Sequence, residues 1–185
     1  MENFTAETIT WDFSKRMQST SGLNINLCYQ CKKCTSGCPL IYEMDYSPHQ
    51  IIHAVQLGLK DLVLKSKTIW LCASCQTCTT RCPQDVDIAK VMDEARIIAR
   101  KEKIKPAVRE IPAFNKSFLQ TLRLFGRSFE AGMTVLLKLR TGEFKKDMKM
   151  GIKLIKKGKL KLIPSFTRFF SVNRIFSRVH KMETY

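Results

Sequence analysis

Apolar positions recur at helical spacing along most of the chain. Ile51, Ile52, Val55 and Leu59 share one face. They follow Ser47-Pro48-His49-Gln50, which reads as a capping box with proline at the first helical position. Gly58 is placed to end that helix, and a second short helix fits Lys60 to Lys65. Further on, Ile88, Val91, Ala95 and Ile98 define another helical face behind Asp85 and Asp87, either of which suits an N-cap. Arg96, Arg100, Lys101 and Lys103 lie toward that helix's C-terminal end, where the helix dipole favours cations. Pro106 and Pro112 mark a break. Beyond it the pattern predicts short amphipathic helices separated by Gly126, Gly142 and Gly158. Their apolar faces are Phe114, Phe118, Leu122 and Phe125, then Phe129, Met133 and Leu136 with Arg140, then Phe144, Met148, Ile152 and Ile155. Residues 1–27 read as a polar lead-in anchored by Phe4, Ile9, Trp11 and Phe13, ending in a Ser-Thr-Ser-Gly turn. Nothing between residues 38 and 72 alternates like a strand or carries a hairpin signal such as Asn-Gly. The pattern as a whole predicts an all-α chain.

The cysteines change this picture, because all eight fall in two copies of one run. Cys28, Cys31, Cys34 and Cys38 precede Pro39, and Cys72, Cys75, Cys78 and Cys82 precede Pro83, each spaced C-x2-C-x2-C-x3-C-P. Three cysteines two residues apart lie on one tight loop, so their sulfurs converge on three corners of a cubane and the fourth corner comes from elsewhere. The runs resemble those by which bacterial-type ferredoxins hold [4Fe–4S] clusters, where the fourth cysteine of each run ligates the other cluster. That resemblance implies one cluster on Cys28, Cys31, Cys34 and Cys82, and a second on Cys72, Cys75, Cys78 and Cys38. A four-cysteine zinc site uses two separated C-x2-C hooks and leaves the third cysteine of each run idle. A disulfide framework requires export, and Met1-Glu-Asn-Phe-Thr-Ala-Glu7 has neither the basic start nor the apolar stretch of a signal peptide. The 33 residues between Cys38 and Cys72 read as helical, which departs from the small βαββαβ ferredoxin and points to a helical two-cluster domain.

Charge divides the chain. Residues 1–100 hold 11 Lys and Arg against 10 Asp and Glu, a net of +1, whereas residues 101–185 hold 21 against 6, a net of +15. No apolar run approaches the roughly 18 residues of a membrane span. The segment from Phe166 to Lys181 interleaves basic and aromatic residues as interfacial helices do. Near the cysteines, Pro39 and Pro83 shape the loop ends, and Gly37 lets backbone pass close to a cluster. Lys32, Lys33 and Arg81 are either solvated or placed to stabilise a reduced cluster. Trp70 reads as a core side chain. His49 and His53 lie four apart with no thiol or carboxylate companion for a metal.

The doubled motif with helical spacers, the lead-in and the basic helical tail resemble the iron–sulfur C subunit of the soluble CoB–CoM heterodisulfide reductase of methanogenic archaea. The resemblance implies a lead-in over residues 1–27, a helical ferredoxin-like domain with two [4Fe–4S] clusters over 28–103, and a basic helical extension for subunit docking over 104–185. It implies a cytoplasmic oxidoreductase subunit that relays electrons in methanogenesis from a flavin-containing partner subunit to a CCG-type catalytic one. The resemblance leaves the upstream donor open, with a hydrogenase or formate dehydrogenase as candidate further partners. The chain has no ninth cysteine, no paired Cys-Cys and no nucleotide-binding glycine motif, so it is read as non-catalytic alone. Two other readings use the same residues: an iron–sulfur subunit of a membrane-associated, quinone-linked dehydrogenase, with the basic helices on anionic lipid, and a cluster protein that binds nucleic acid. The second has no recognisable recognition motif to support it.

Overall fold

A computed structural model describes residues 11–22, 24–142, 157 and 169–183. Phe4, Ile9, Gly158 and the helix expected on Phe144, Met148, Ile152 and Ile155 lie outside the described residues. Contacts divide the chain into two compact units, Met1–Val108 and Arg109–Tyr185. Among the described residues the elements are helices and short 3-10 turns with no strand, as the spacer between the cysteine runs predicts.

In the first unit, α1 (Trp11–Ser21) runs through the expected Ser-Thr-Ser turn. Phe13 and Met17, four apart, are buried, and α1 packs on α7 and α3. Its apolar face therefore serves the helical core. Next come two helices of one turn each, α2 (Lys33–Ser36) in the first cysteine run and α6 (Thr77–Thr80) in the second. Between them stand α3 (Pro48–Gln56), α4 (Lys60–Lys65) and α5 (Thr68–Leu71). The long α7 (Ile88–Lys101) follows the second run. Helix α3 starts at Ser47, whose N–H donates to the Gln50 side chain at 2.8 Å, as the capping-box spacing predicts. Helix α7 starts at Asp87, whose carboxylate accepts from Lys90 N–H at 3.0 Å.

The core is where these helices meet. Ile51, Ile52 and Val55 of α3, Val63 and Leu64 of α4, Ile69 of α5 and Ile88, Val91, Ala95 and Ile98 of α7 are all buried. Burying each larger aliphatic side chain stabilises the unit by roughly 1.5–3 kcal/mol. The core holds α3 and α7 firmly, and each of these helices begins beside one cysteine run. Trp70 belongs to it, 4% exposed.

The second unit contains α8 (Glu110–Phe125), α9 (Glu130–Thr141) and α10 (Phe169–Glu183). Pro112 sits inside the first turn of α8, where its missing N–H forfeits no intrahelical bond. Gly126 and Gly142 end α8 and α9 with φ near +70°, a conformation that costs glycine little. Helix α8 packs against α9 and α10. Its buried residues are Ser117 and Thr121, one turn apart, and Arg140 of α9 donates to Ser117 Oγ at 2.7 Å. No apolar side chain of this unit is buried among the described residues.

Asp45 joins the segment after the first cysteine run to the helix before the second. Its carboxylate accepts from Lys67 N–H at 2.7 Å, Thr68 N–H at 3.0 Å, Thr68 Oγ1 at 2.7 Å and Tyr46 N–H at 2.9 Å. Desolvation works to raise its pKa, but the combined donors outweigh it and hold the carboxyl below its ordinary value. A depressed folded-state pKa stabilises the fold above the unfolded-state pKa, near 4, and that contribution is lost as pH falls through the folded value. Asp45→Asn is expected to cost about 1–2 kcal/mol at pH 7, read as a lower urea midpoint. The gap to the parent chain should close as the pH is taken below about 4, where the parent loses the same charge.

Candidate metal centres

The two cysteine runs adopt one backbone twice. Gln30 and Ser74, each two residues past the first cysteine, have φ of 62° and 50°. Lys32 and Gln76, each just after the second cysteine, have φ of 62° and 63°. These left-handed residues curl the loop so that its cysteines share one concave side. Each costs a non-glycine residue on the order of 1–2 kcal/mol. The chain then makes one helical turn carrying the third cysteine, and the fourth closes it: Cys38 N–H donates to Thr35 O at 3.1 Å and Cys82 N–H to Thr79 O at 3.0 Å.

Each run is tied to the helix that follows it. Thr35 Oγ1 meets His49 Nδ1 at 2.8 Å on the first turn of α3, and Thr79 Oγ1 donates to the Asp87 cap at 2.9 Å and accepts from Ala89 N–H at 3.3 Å. Further along the same helices, Gln56 donates to Cys28 O at 3.1 Å and Ile25 O at 3.0 Å, and Arg96 donates to Cys72 O at 3.1 Å and Ser74 Oγ at 2.8 Å. Arg96 also pairs with Asp93. It is thus engaged with the second cysteine loop, where the pattern alone suggested a dipole-compensating surface cation. Ser47 Oγ is a second partner of His49 Nδ1 at 2.8 Å, so this ring nitrogen is used in holding loop and helix together. A Cβ on Gly37 would lie 2.7 Å from Arg81 Cδ and 2.9 Å from its Nε. Gly37 therefore makes room for the Arg81 side chain, which crosses from the second run onto the first.

The thiols fall into two neighbourhoods. Cys38, from the first run, lines one cavity together with Cys72, Cys75 and Cys78 of the second; Leu40, Met44, Ile88 and Met92 close it. On the other side, the Tyr29 hydroxyl is pushed above its usual pKa by partial desolvation and then by Cys31, Cys82 and Cys28, so Cys82 of the second run stands near the first. Cys34 is buried, and burial pushes its thiol up. Burial likewise raises Cys78 to about 11, with Cys72 adding to it. Cys72 is raised by burial too, while Arg96 works to lower it and Asp93 to raise it. Cys75 is lowered through its 3.4 Å contact with the Thr77 hydroxyl. Val86 N–H donates to Cys82 Sγ at 3.3 Å and Gln30 Nε2 to Cys28 Sγ at 3.4 Å. Donors of this kind are the ones that stabilise thiolates bound to iron.

The donor set fits [4Fe–4S] clusters: soft sulfur ligands, with Cys38, Cys72, Cys75 and Cys78 set among apolar walls. Among the described residues no three His, Cys, Asp or Glu side chains converge as the ligands of one ion do. A cubane does not ask for that, because each thiolate meets its own corner iron. Asp45, Gln56, Arg96 and the paired Thr35 and Thr79 are the supporting residues that spacing did not single out. A threonine directly after the third cysteine of both runs was the one visible signal.

Fold and site together define a helical iron–sulfur domain, and residues 27–87 match the family model described as a 4Fe-4S dicluster domain. The similar curated proteins are subunits of one kind. The chain is 35% identical over 90 residues to the C subunit of the H(2):CoB-CoM heterodisulfide,ferredoxin reductase of Methanothermobacter marburgensis, covering 49% of each chain. It is 41% identical over 80 residues to the iron-sulfur C subunit of the CoB--CoM heterodisulfide reductase of Methanopyrus kandleri, covering 43% of this chain and 42% of that one. With the C subunit of the ferredoxin:CoB-CoM heterodisulfide reductase of Methanosarcina acetivorans it shares 33% over 99 residues, 54% of this chain and 40% of the relative. The matches span about half the length of these relatives or less, and the resemblance read from the motifs holds over that part.

If the left-handed residues carry the strain their φ values imply, Gln76→Gly should stabilise the chain by about 0.5–1 kcal/mol, net of the extra chain entropy of glycine. The check is a raised urea midpoint against the parent.

Proposed function

We propose that the chain holds two [4Fe–4S] clusters and serves as the electron-relay subunit of a cytoplasmic CoB–CoM heterodisulfide reductase complex. In this reading Cys28, Cys31, Cys34 and Cys82 hold the first cluster, and Cys72, Cys75, Cys78 and Cys38 the second. The observation that carries it is the cavity in which Cys38 joins the three cysteines of the other run. When bound, the clusters supply one-electron transfer at low potential. The chain's own residues do the rest. The left-handed loops aim the thiols, Gln56 and Arg96 hold the loop carbonyls, and Leu40, Met44, Ile88 and Met92 restrict water at the second site.

The partners in this reading are a flavin-containing subunit on the donor side, fed by a hydrogenase or formate dehydrogenase, and a CCG-type subunit that reduces the disulfide. The chain alone does not turn over substrate. The names of the relatives support such a complex. The second unit supports a docking role: Leu119 and Leu124 of α8, Val135 and Leu139 of α9, and Phe170, Ile175 and Met182 of α10 are exposed. Apolar residues left outside in this number need a covering surface, and the net of +15 beyond residue 100 suits an acidic one. Among the described residues no helix is long and apolar enough to cross a membrane.

Two experiments test this reading. Chain prepared without air should contain about eight irons and eight sulfides, and Cys38→Ser should damage mainly the cluster of Cys72, Cys75 and Cys78. EPR decides: loss confined to the other cluster refutes the crossed ligation, and stoichiometric zinc with little iron refutes the clusters. Truncation after Val108 should leave both clusters in place and weaken assembly with the flavin-containing or the CCG-type partner by at least tenfold in Kd, about 1.4 kcal/mol. Normal assembly of the truncated chain, with the intact chain pelleting on anionic vesicles, favours the quinone-linked membrane reading.

A further inference from the structure

In both halves of the first unit the following helix braces the cysteine loop, and one pair of equivalent positions does so with different chemistry. Gln56 stands nine residues past the Ser47 cap of α3, and Arg96 nine past the Asp87 cap of α7. Each donates to the carbonyl of the first cysteine in its run at 3.1 Å. Each also meets the side chain two residues beyond that cysteine, Gln30 at 3.4 Å and Ser74 at 2.8 Å. The mechanical job is the same on both sides, and a neutral amide does it in the first half. In the second half it is done by a guanidinium that keeps only 20% of its side-chain exposure and is paired with Asp93.

We infer that Arg96 and Asp93 are positioning residues that set the reduction potential of the cluster on Cys72, Cys75, Cys78 and Cys38, with Gln56 as the uncharged counterpart at the first cluster. The inference rests on the two-cluster reading and deepens it. Reduction adds one negative charge to a cluster, so a nearby cation favours the reduced form and an anion disfavours it. Lys32 and Lys33 of the first run are exposed, and water and salt screen them. Arg96 is largely withdrawn from solvent, where charges interact more strongly. Its bonds to Cys72 O and Ser74 and its pairing with Asp93 keep its charge in place.

The pair makes a prediction of sign that a purely structural role does not. Arg96→Gln installs the first half's own solution, removes the cation and leaves Asp93 uncompensated; both changes make reduction harder. Asp93→Asn removes the anion and makes reduction easier. A pair that only braced the loop would move the potential the same way in both variants, or in neither.

The test is an EPR-monitored redox titration of the full-length chain, prepared without air, with iron and sulfide assayed on every sample. The second cluster is identified as the signal lost in Cys38→Ser. Arg96→Gln is expected to disfavour its reduction about tenfold, which for a one-electron couple is 59 mV more negative, with the first cluster unmoved. Asp93→Asn is expected to shift it the opposite way, the double variant to return near the parent, and Arg96→Lys to recover most of the loss. If Arg96→Gln fails to take up iron, Asp93→Asn against the parent carries the sign test, and an unmoved or more negative midpoint there overturns the inference. With both single variants fully loaded, shifts of the same sign or none also overturn it. A parent chain without two cubane signals instead sinks the two-cluster reading.

Discussion

A tight loop that aims three thiols to one side leaves its own backbone groups and its cysteine carbonyls without partners, and the rest of the first unit answers that constraint. Unpaired backbone groups near a buried site cost free energy comparable to a lost hydrogen bond. The chain meets the cost with side chains from α3 after the first run and α7 after the second. Thr35 and Thr79 engage the starts of these helices, and Gln56 and Arg96 reach the loops from further along them. The helices are in turn held by the aliphatic core, so the position of each thiol is referred to packed side chains at some distance from it. This is why buried core residues such as Ile52 and Val91 bear on the geometry of the sites.

The second constraint is that the runs cooperate. Cys38 and Cys82 each stand with the opposite run, and this holds only if the two loops keep their relative place. Asp45 supplies one tie, bonding the backbone that leads into the second run, and Arg81 lying over Gly37 supplies another. Where these ties are charged, they also place fixed charge around the thiols, so support and electrostatics are inseparable here.

The two units divide the physical work. The first buries aliphatic side chains densely and carries all eight cysteines. The second holds most of the positive charge, and among its described residues only Ser117 and Thr121 are buried. In the proposed relay, rigidity suits a site whose charge changes by one, and an outward apolar and basic surface suits docking in an assembly.

Much of this was legible before any coordinates. The cysteine spacing named the metal chemistry, and the helical periods of Ile51 to Val55 and Ile88 to Ile98 placed the core faces, since both signals are local along the chain. The capping box at Ser47 and the helix over Lys60 to Lys65 were legible for the same reason. The roles of Asp45, Gln56 and Arg96 were not. Each depends on a partner more than 20 residues away, and a polar residue on a helix reads alike whether it faces water or a loop carbonyl. Nor did α1 declare itself, because a Ser-Thr-Ser stretch favours a turn until Phe13 and Met17 find α3 and α7 to pack on. The sequence by itself determined which thiols are the candidates for iron and which faces are apolar, for these follow from residue type and period. Only the tertiary structure decided which loop each helix supports and where Arg96 and Asp93 are held against it, for these follow from packing between segments distant in the chain.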